Sequence, residues 1–303
     1  MVEMCDPDHE RVARVVDSLG ETAGAGRGRQ LSDDVAVAVI ATPTGSQVEL
    51  ARRAVHAGVP TVTTSDDLRE VRDLLDLDQE ARYHRIPVVV GAGFMPGLTC
   101  LLARHAAREF DVVDEVHVAK VGTGGPACAR QHHRSLSSTA LDWRDGRWTR
   151  RAGGSGRELA WFPDPVGGRD CYRAALPDAL LLVPAFSGID RVTARMAATR
   201  RDRLTAPLPM LRPPHVEGGV GAVRVEVRGR VGVERRVVVF GAIDRPAVAT
   251  GAVAATVALH VVTNGVEPGS RGLAAIDDSG DVLRDLARRG VNAARFEGFA
   301  TFS

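Results

Sequence analysis

The sequence has few of the features that mark membrane, nucleic-acid-binding or disulfide-stabilised proteins. Its apolar runs stay below the roughly 18 residues of a membrane span, and its N-terminus lacks the pattern of a signal peptide. A formal net charge of +1 supplies no field that would recruit nucleic acid or an anionic surface. The four cysteines include no C-x-x-C pair, as expected for reduced thiols. These absences favour a cytoplasmic protein that binds neither membranes nor nucleic acid.

Lysine is almost absent, because Lys120 is the only lysine among 39 Lys and Arg residues. A coding bias toward arginine explains the ratio, and a lysine retained under that bias marks a position where arginine does not fit. Val116, Val118 and Lys120 alternate onto one face of a predicted strand. A partly buried lysine there can act as an acid or base. The alternative is a lysine that extends its charge to solvent without a role.

Predicted strands and helices alternate along residues 1–111. Buried strands are predicted at residues 2–5, 35–41, 59–63 and 88–90, with helices following them. This alternation predicts an α/β fold with a doubly wound, Rossmann-type parallel sheet. The strand, G-x-G-x-x-G turn and helix that open such a domain would lie roughly 25–30 residues before Met1. The alternative is a truncated protein that binds no dinucleotide.

Asp6 ends the first predicted strand and precedes a helix predicted over residues 8–19. In a dinucleotide-binding domain, an acid at this place accepts hydrogen bonds from the adenosine ribose. The alternative is that Asp6 caps the helix that begins near Pro7.

Residues 86–104 predict a strand, a glycine-rich turn and a helix. The glycine spacing, G-x-G-x-x-x-G, is one residue longer than the dinucleotide fingerprint, and the next strand ends in Lys120 rather than in an acid. We therefore expect the last strand of a nucleotide-binding domain here, with Gly93 near the cofactor and a second domain beyond it.

Residues 112–244 change to a β-rich pattern, which predicts a second, α+β domain for substrate binding and homodimerisation. Within it, residues 140–175 predict hairpins with Trp143, Trp148 and Trp161 in the core, and residues 223–227 and 231–243 predict a further hairpin. Residues 180–186 predict a buried strand, residues 189–200 a helix and residues 205–219 a loop. Residues 245–303 form the third predicted region. It has an apolar, buried helix over 247–262 and a tail without an assigned role, with a strand at 273–276, a helix at 282–289 and an aromatic end at 296–302.

The densest polar cluster follows Lys120, at residues 127–139. Arg130 and Arg134 could bind a substrate carboxylate, and His132 and His133 could transfer a proton. A metal is not predicted, because adjacent histidines rarely share one ion and no second cysteine or acid stands at ligand spacing. The alternative is a solvated loop.

The run Gly-Ala-Gly-Phe-Met-Pro-Gly-Leu at residues 91–98 resembles the G-x-G-F-x-P-G-L junction of saccharopine-dehydrogenase-like oxidoreductases. The resemblance covers about residues 2–260 and is strongest over residues 35–104. It implies hydride transfer between NAD or NADP and a C–N or C=N centre of a small, amino-acid-like substrate. It also implies that the helix over 247–262 returns to the nucleotide domain.

The run Val-Ile-Ala-Thr-Pro-Thr-Gly at residues 39–45 resembles the fourth-strand turn of NAD(P)-dependent two-domain dehydrogenases. In those proteins the loop lies against the nicotinamide side of the cofactor. The residues that would contact the cofactor here are Thr42, Pro43, Thr44 and Gly45. The alternative is an ordinary helix start capped by Thr44.

Two functions of other classes stay open. One is a non-catalytic sensor or scaffold that has lost cofactor binding. The other is a nicotinamide-independent enzyme that uses the segment around His132 and His133.

Overall fold

The structure, a computed structural model, describes residues 1–26, 34–210 and 218–296. These residues fall into two compact units, Met1–Ala36 and Val37–Ser303. Residues 211–217 of the loop predicted over 205–219, and almost all of the aromatic end predicted at 296–302, lie outside the described residues.

The first unit contains one helix and a small parallel sheet. Strand β1 (Val2–Met4) pairs with β2 (Ala23–Ala25), with Val2 opposite Ala23. Helix α1 (His9–Leu19) connects them and begins at Asp8, whose carboxylate accepts a hydrogen bond from Arg11 N at 3.0 Å. A strand, a crossover helix and a parallel strand make a βαβ arrangement. Strand β2 lies within residues 20–34, where the sequence predicted a loop, so this prediction was wrong.

The second unit opens with a parallel sheet in which strands and helices alternate. Its helices and strands, in chain order, are β3 (Ala38–Ile40), α2 (Gln47–His56), β4 (Thr61–Thr63), α3 (Leu68–Leu75), α4 (Asp78–His84), β5 (Pro87–Val90) and α5 (Leu98–Ala107). The strands are short and strongly apolar: all four side chains of β5 are buried. Continuous apolar strands of this kind need cover on both faces, which the helices provide.

A strand from the C-terminal region completes this sheet. Strand β14 (Gly269–Gly272) pairs with β5 in parallel, so the order is β14–β5–β4–β3. The sequence predicted this strand at residues 273–276, which is wrong, because Leu273–Ala275 form a 3₁₀ turn. The tail helix α10 (Ser279–Arg288) follows. Part of the tail is therefore a component of the parallel sheet, which the sequence did not predict.

A second, mixed sheet of nine strands carries the β-rich region. Its strands are β6 (Val112–Val121), β7 (Thr139–Arg144), β8 (Arg147–Ala152), β9 (Glu158–Trp161), β10 (Gly168–Arg173), β11 (Arg191–Ala197), β12 (Gly221–Val231), β13 (Glu234–Asp244) and β15 (Ala293–Arg295). The main order is β15–β13–β12–β6–β11–β10–β9, and only β6 and β11 pair in parallel. The predicted fold class, a parallel sheet with flanking helices plus a β-rich region, is confirmed.

Two predicted hairpins are present in this sheet. Strands β12 and β13 pair over their full length around Gly232. Trp143 and Trp148 face each other across β7 and β8, with ring centroids 5.0 Å apart in an edge-on contact. Trp161, expected in the core, is instead 61% exposed.

The predicted order of strand and helix near residue 190 is wrong. Residues 178–182 form helix α7 (Asp178–Leu182), and the strand is β11, where a helix was expected. In β11, alternate side chains belong to opposite faces, and Val192, Ala194 and Met196 join the main core. Residues 191–197 form a strand because they pair with β6 on one side and β10 on the other. These pairings are tertiary, and the sequence of the segment alone does not indicate them.

Two further helices correct the prediction. Residues predicted as a polar segment form α6 (Pro126–Ser135), with Pro126 at the first helical position, which proline favours. Helix α8 (Arg200–Thr205) follows β11 and has a capping box between Thr199 and Asp202.

Helix α9 (Pro246–Thr263) packs against β3 and β4, so it does return to the parallel sheet. The expectation that it is buried all round is wrong, because Val248 and Leu259 are more than half exposed. Among the described residues it is the one helix long and apolar enough to cross a membrane, and half of it is buried. A core helix of a soluble protein passes the same test, so this is weak evidence for a span.

Candidate active site

The carboxyl ends of β3, β4 and β5 meet at one edge of the parallel sheet. Three segments leave that edge: residues 41–46, residues 64–67 and the glycine-rich turn 91–97. In open α/β sheets, ligands bind outside the carboxyl ends of the strands. The predicted residues Thr42 to Gly45 and Gly93 lie in these segments.

Glu70 connects the first two segments through hydrogen bonds. One carboxylate oxygen accepts hydrogen bonds from Gly45 N at 2.7 Å and Gln47 N at 3.0 Å, and the other accepts one from Ser65 Oγ at 2.7 Å. Glu70 is 4% exposed. Its negative charge satisfies the free amides at the N-terminus of α2, where the helix dipole favours an anion. Thr44 does not cap this helix, because Ser46 holds the cap position.

Hydrogen bonds between its own backbone groups hold the glycine-rich turn in shape. Gly93 N donates to Pro96 O at 3.0 Å, and Leu98 N donates to Gly93 O at 2.8 Å. Gly97 has φ +125°, and a Cβ there would overlap the backbone of Gly93. Internal packing of the turn therefore explains these glycines.

Lys120 is buried beside this turn, with 2% of its surface exposed. Its ammonium group donates to Met95 O at 3.3 Å, and Nζ lies 2.6 Å from Nε2 of His132. The apolar face predicted for Lys120 is observed, since Val116 and Val118 are buried in the main core. The alternative of a lysine that reaches solvent is excluded by this burial.

Helix α6 supplies the partners of Lys120. Cys128 and His132 are four residues apart and therefore share one face of the helix. Nε2 of His132 lies 2.9 Å from Oδ2 of Asp66 and 3.5 Å from Sγ of Cys128, and that Sγ lies 3.7 Å from the same Asp66 oxygen. We call Asp66, Lys120, Cys128 and His132 the Lys120 cluster.

The charges of the Lys120 cluster are coupled. Burial raises the pKa of Asp66, but the hydrogen bond and charge of His132 outweigh it, so this pKa lies below its ordinary value. Burial and the charge of Lys120 lower the pKa of His132, whereas Cys128 and Asp66 raise it. The second effect is the larger one, so the pKa of His132 lies above its ordinary value. Asp66 is thus held as a carboxylate beside a readily protonated imidazole.

Lys120 and His132 cannot both carry a proton on their shared contact. Either the ammonium donates to a neutral imidazole, or the imidazolium donates to a neutral amine; the observed 2.6 Å separation suits one shared proton. A pair that exchanges one proton over so short a distance can accept or deliver it to a third group. This is the property that general acid–base catalysis requires.

Asp178 lies buried near the same lysine. Its Oδ1 accepts a hydrogen bond from Thr99 Oγ1 at 2.9 Å, and its Oδ2 has no partner among the described residues. Burial raises the pKa of Asp178 to about 6, and the charge of Lys120 opposes the rise. Asp178 therefore adds a second acidic group to the surroundings of Lys120.

Asp66, Cys128 and His132 also present three donor atoms within 4.8 Å, a spacing that a metal ion could use. Nε2 of His132 is the atom that lies near both of the other two donors, and Nζ of Lys120 is only 2.6 Å from it. A positive charge at that nitrogen opposes the binding of a cation.

The comparisons with known proteins bear on the fold. No protein-family model matches the sequence, and no curated protein matches it. Saccharopine dehydrogenase (L-Glu forming) from Saccharomyces cerevisiae superposes with a TM-score of 0.63 at 13% identity, covering 94% of this chain and 91% of that one. The homospermidine synthase of Legionella pneumophila, solved with NAD, gives 0.65 at 10% identity, covering 95% and 84%.

The chain has a saccharopine-dehydrogenase-like fold. At identities this low, the two superpositions show the fold alone. The roles of the site residues depend on the geometry of this chain. The saccharopine-dehydrogenase-like fold that the glycine-rich run at residues 91–98 predicts is therefore confirmed.

The saccharopine-dehydrogenase-like fold brings only some of the predicted site residues together. His132 joins Lys120, whereas His133 lies apart and its Nε2 is 3.0 Å from Leu208 O. Arg130 and Arg134 are exposed on α6, and Arg134 donates to Gln131 Oε1 at 3.1 Å. Asp6 accepts a hydrogen bond from Asp8 N at 2.8 Å, and Asp8, not Asp6, is the cap of α1.

Three site residues were missed from the sequence. Asp66 stands 54 positions before Lys120 in a Thr-Thr-Ser-Asp-Asp turn, and only the meeting of two loops brings it to His132. Cys128 had a detectable signal, the Cys-x-x-x-His spacing of one helical turn, once residues 126–135 are recognised as a helix. Asp178 had none, because its burial follows from tertiary packing.

Proposed function

We propose that the chain is an NAD(P)-dependent oxidoreductase acting on a C–N or C=N centre of an amino-acid-like substrate. The observation that carries the proposal is the 2.6 Å contact between Lys120 Nζ and His132 Nε2, buried at the carboxyl edge of a parallel sheet. The fold supports it, since the homospermidine synthase with this fold was solved with NAD. The name of the yeast enzyme, saccharopine dehydrogenase, supports an amino-acid-like substrate.

Lys120 and His132 would handle the proton of this reaction. Converting a C–N bond to C=N removes a hydride from carbon and a proton from nitrogen; the nicotinamide, when bound, supplies or accepts the hydride. Lys120 would take or return the proton, with His132 sharing it and Asp66 fixing the imidazole. The low exposure of Lys120 and His132 keeps bulk water from competing for that proton.

The residues present fit the nicotinamide end of a dinucleotide. Pro43, Thr44 and Gly45 are exposed at the end of β3, which is an edge strand of the described sheet. Gly45 N and Gln47 N already donate to Glu70, and Gly93 N donates to carbonyls of its own turn. These amides are not available to a pyrophosphate, and we assign the two turns to the nicotinamide side.

Arg130 and Arg134 remain our proposal for binding a substrate carboxylate. Both are exposed on α6, the helix that carries His132. An arginine fork can bind a carboxylate through two hydrogen bonds. We exclude His133 from the proposed proton transfer, because it faces Leu208 O.

The test replaces Lys120 by methionine, which keeps the length of the side chain and removes the proton-carrying amine. We expect kcat to fall by about 10²–10⁴ while KM for the nicotinamide changes little. The measurement follows NAD(P)H absorbance with paired amines and α-keto acids. His133→Asn is the matched control, with unchanged turnover expected. Unchanged turnover of Lys120→Met would exclude Lys120 as the acid–base group.

A further inference from the structure

Cys128 lies at the positive end of a helix. It is the third residue of α6, and Gly125, in the cap position, makes no side-chain capping bond. The first-turn amides of a helix favour a negative charge, and Cys128 belongs to that turn. The side chain is partly exposed, so small reagents can reach it.

The shared proton of Lys120 and His132 adds a second positive influence. Sγ of Cys128 lies 3.5 Å from Nε2 of His132. Asp66, whose Oδ2 is 3.7 Å from the sulfur, is the opposing charge from the loop after β4. Burial raises the pKa of Cys128 and Asp66 does the same, but the charge and hydrogen bond of His132 prevail and the net shift is downward.

The other cysteines provide internal comparisons. Cys100 and Cys171 are buried, and burial, the main cause, raises the pKa of both, that of Cys171 to about 12. Cys5 is exposed in the first unit. Cys128 alone among the four has a cationic partner on its own helix face together with solvent access, the environment typical of reactive thiolates.

We propose that Cys128 is a reactive thiolate and a modification site for hydroperoxides, and that its oxidation stops proton transfer by His132. The thiolate attacks one peroxide oxygen; an S–O bond forms, the O–O bond breaks, and the released alkoxide or hydroxide takes a proton from solvent. Sulfur is oxidised by two electrons to a sulfenic acid and the peroxide is reduced. The added oxygen lies between Sγ and Nε2, where it competes with Lys120 for the imidazole.

Reactivity is tested without reference to turnover. Site-resolved mass spectrometry would give the rate of iodoacetamide alkylation of each cysteine in the folded protein at pH 6.5. We expect Cys128 to react severalfold faster than Cys5, since the nearby imidazolium of His132 favours the thiolate, which is the nucleophile. Cys100 and Cys171 should remain unmodified. A rate for Cys128 no higher than that of Cys5 overturns the proposal.

A pair of variants tests the cause. His132→Asn should slow alkylation of Cys128 to the rate of Cys5, whereas His133→Asn, one position further on the same helix, should not change it. Equal rates in the two variants would exclude His132 as the activating group. Absorbance of the thiolate in a Cys5→Ser background, followed against pH, measures the same ionisation without a reagent.

The switching step rests on the proposed function, so it needs a separate readout. Dimedone labelling after hydroperoxide treatment should mark Cys128, and turnover should fall in parallel and return with added thiol. Cys128→Ser should take no dimedone label, and hydroperoxide should not reduce its turnover below that of the same variant before treatment, whatever that turnover is. Labelling without loss of turnover overturns the switch and keeps the reactive thiolate; rapid alkylation in a protein with no nicotinamide-dependent turnover contradicts only the proposed function.

Discussion

Asp178 is the residue whose environment is least compatible with its charge. It is fully buried, its Oδ2 has no partner among the described residues, and burial raises its pKa from 3.8 to about 6, against the opposing charge of Lys120. The folded protein therefore holds a proton that the unfolded chain releases. Through this group the free energy of unfolding falls as pH rises from about 4 to about 6, by about 3 kcal/mol in total.

Asp178→Asn removes that titration. We expect the stability of the variant relative to the natural protein to increase between pH 4 and pH 7, as measured by urea unfolding at each pH. Asp73→Asn, at an exposed position on α3, is the control and should show no such trend. A stability difference for Asp178→Asn that is the same at both pH values would contradict the account.

Single residues were predictable where composition or alternation isolates them. Lys120 is the only lysine, and the alternation of residues 116–120 was enough to place it on the buried face. His132 and His133 were equivalent in the sequence, because a helix had not been predicted there; the helix turns one toward Lys120 and the other toward Leu208. Asp66 and Asp178 reach the site only through tertiary packing.

At the scale of elements, the glycine-rich turn is the junction that positions Met95 O for Lys120. Gly97→Ala places a Cβ against the backbone of Gly93 at φ +125°, so we expect a loss of more than about 2 kcal/mol of stability. Gly251→Ala is the matched control: this glycine lies within α9 and nothing lies within 4 Å of its Cβ position. It should gain about 0.5–1 kcal/mol.

Denaturant unfolding of both variants distinguishes the two glycines. Opposite signs support the account, with Gly97→Ala less stable and Gly251→Ala more stable than the natural protein. A Gly97→Ala protein of undiminished stability would show that the turn can relax around a side chain.

Element type was predictable where the pattern is local. The parallel strands β3, β4 and β5 were found from apolar runs bounded by turn residues. Strand β11 was not, because its pairing with β6 and β10 decides its structure. Helix α6 was missed because its composition is polar, although Gly125 and Pro126 are a usual helix start.

At the scale of the whole molecule, one hydrophobic core joins the two sheets of the second unit. Buried residues of β5, α5, β6 and α9 belong to the same cluster. The Lys120 cluster draws its members from both sides of this core: Asp66 follows the parallel sheet and Lys120 ends a strand of the mixed sheet. Such a site forms only when both sheets fold, and a sequence pattern read one segment at a time does not contain it.

Nicotinamide binding by the natural full-length protein tests the central claim most directly. Fluorescence titration with NADH and with NADPH should show saturable binding of at least one of them. Glu70→Ala should weaken it, because the segment that carries Thr42 to Gly45 loses the carboxylate that holds Gly45 N and Gln47 N. Glu49→Ala, at an exposed position on α2, is the control and should not weaken it. If neither nucleotide binds, the chain is not an NAD(P)-dependent oxidoreductase.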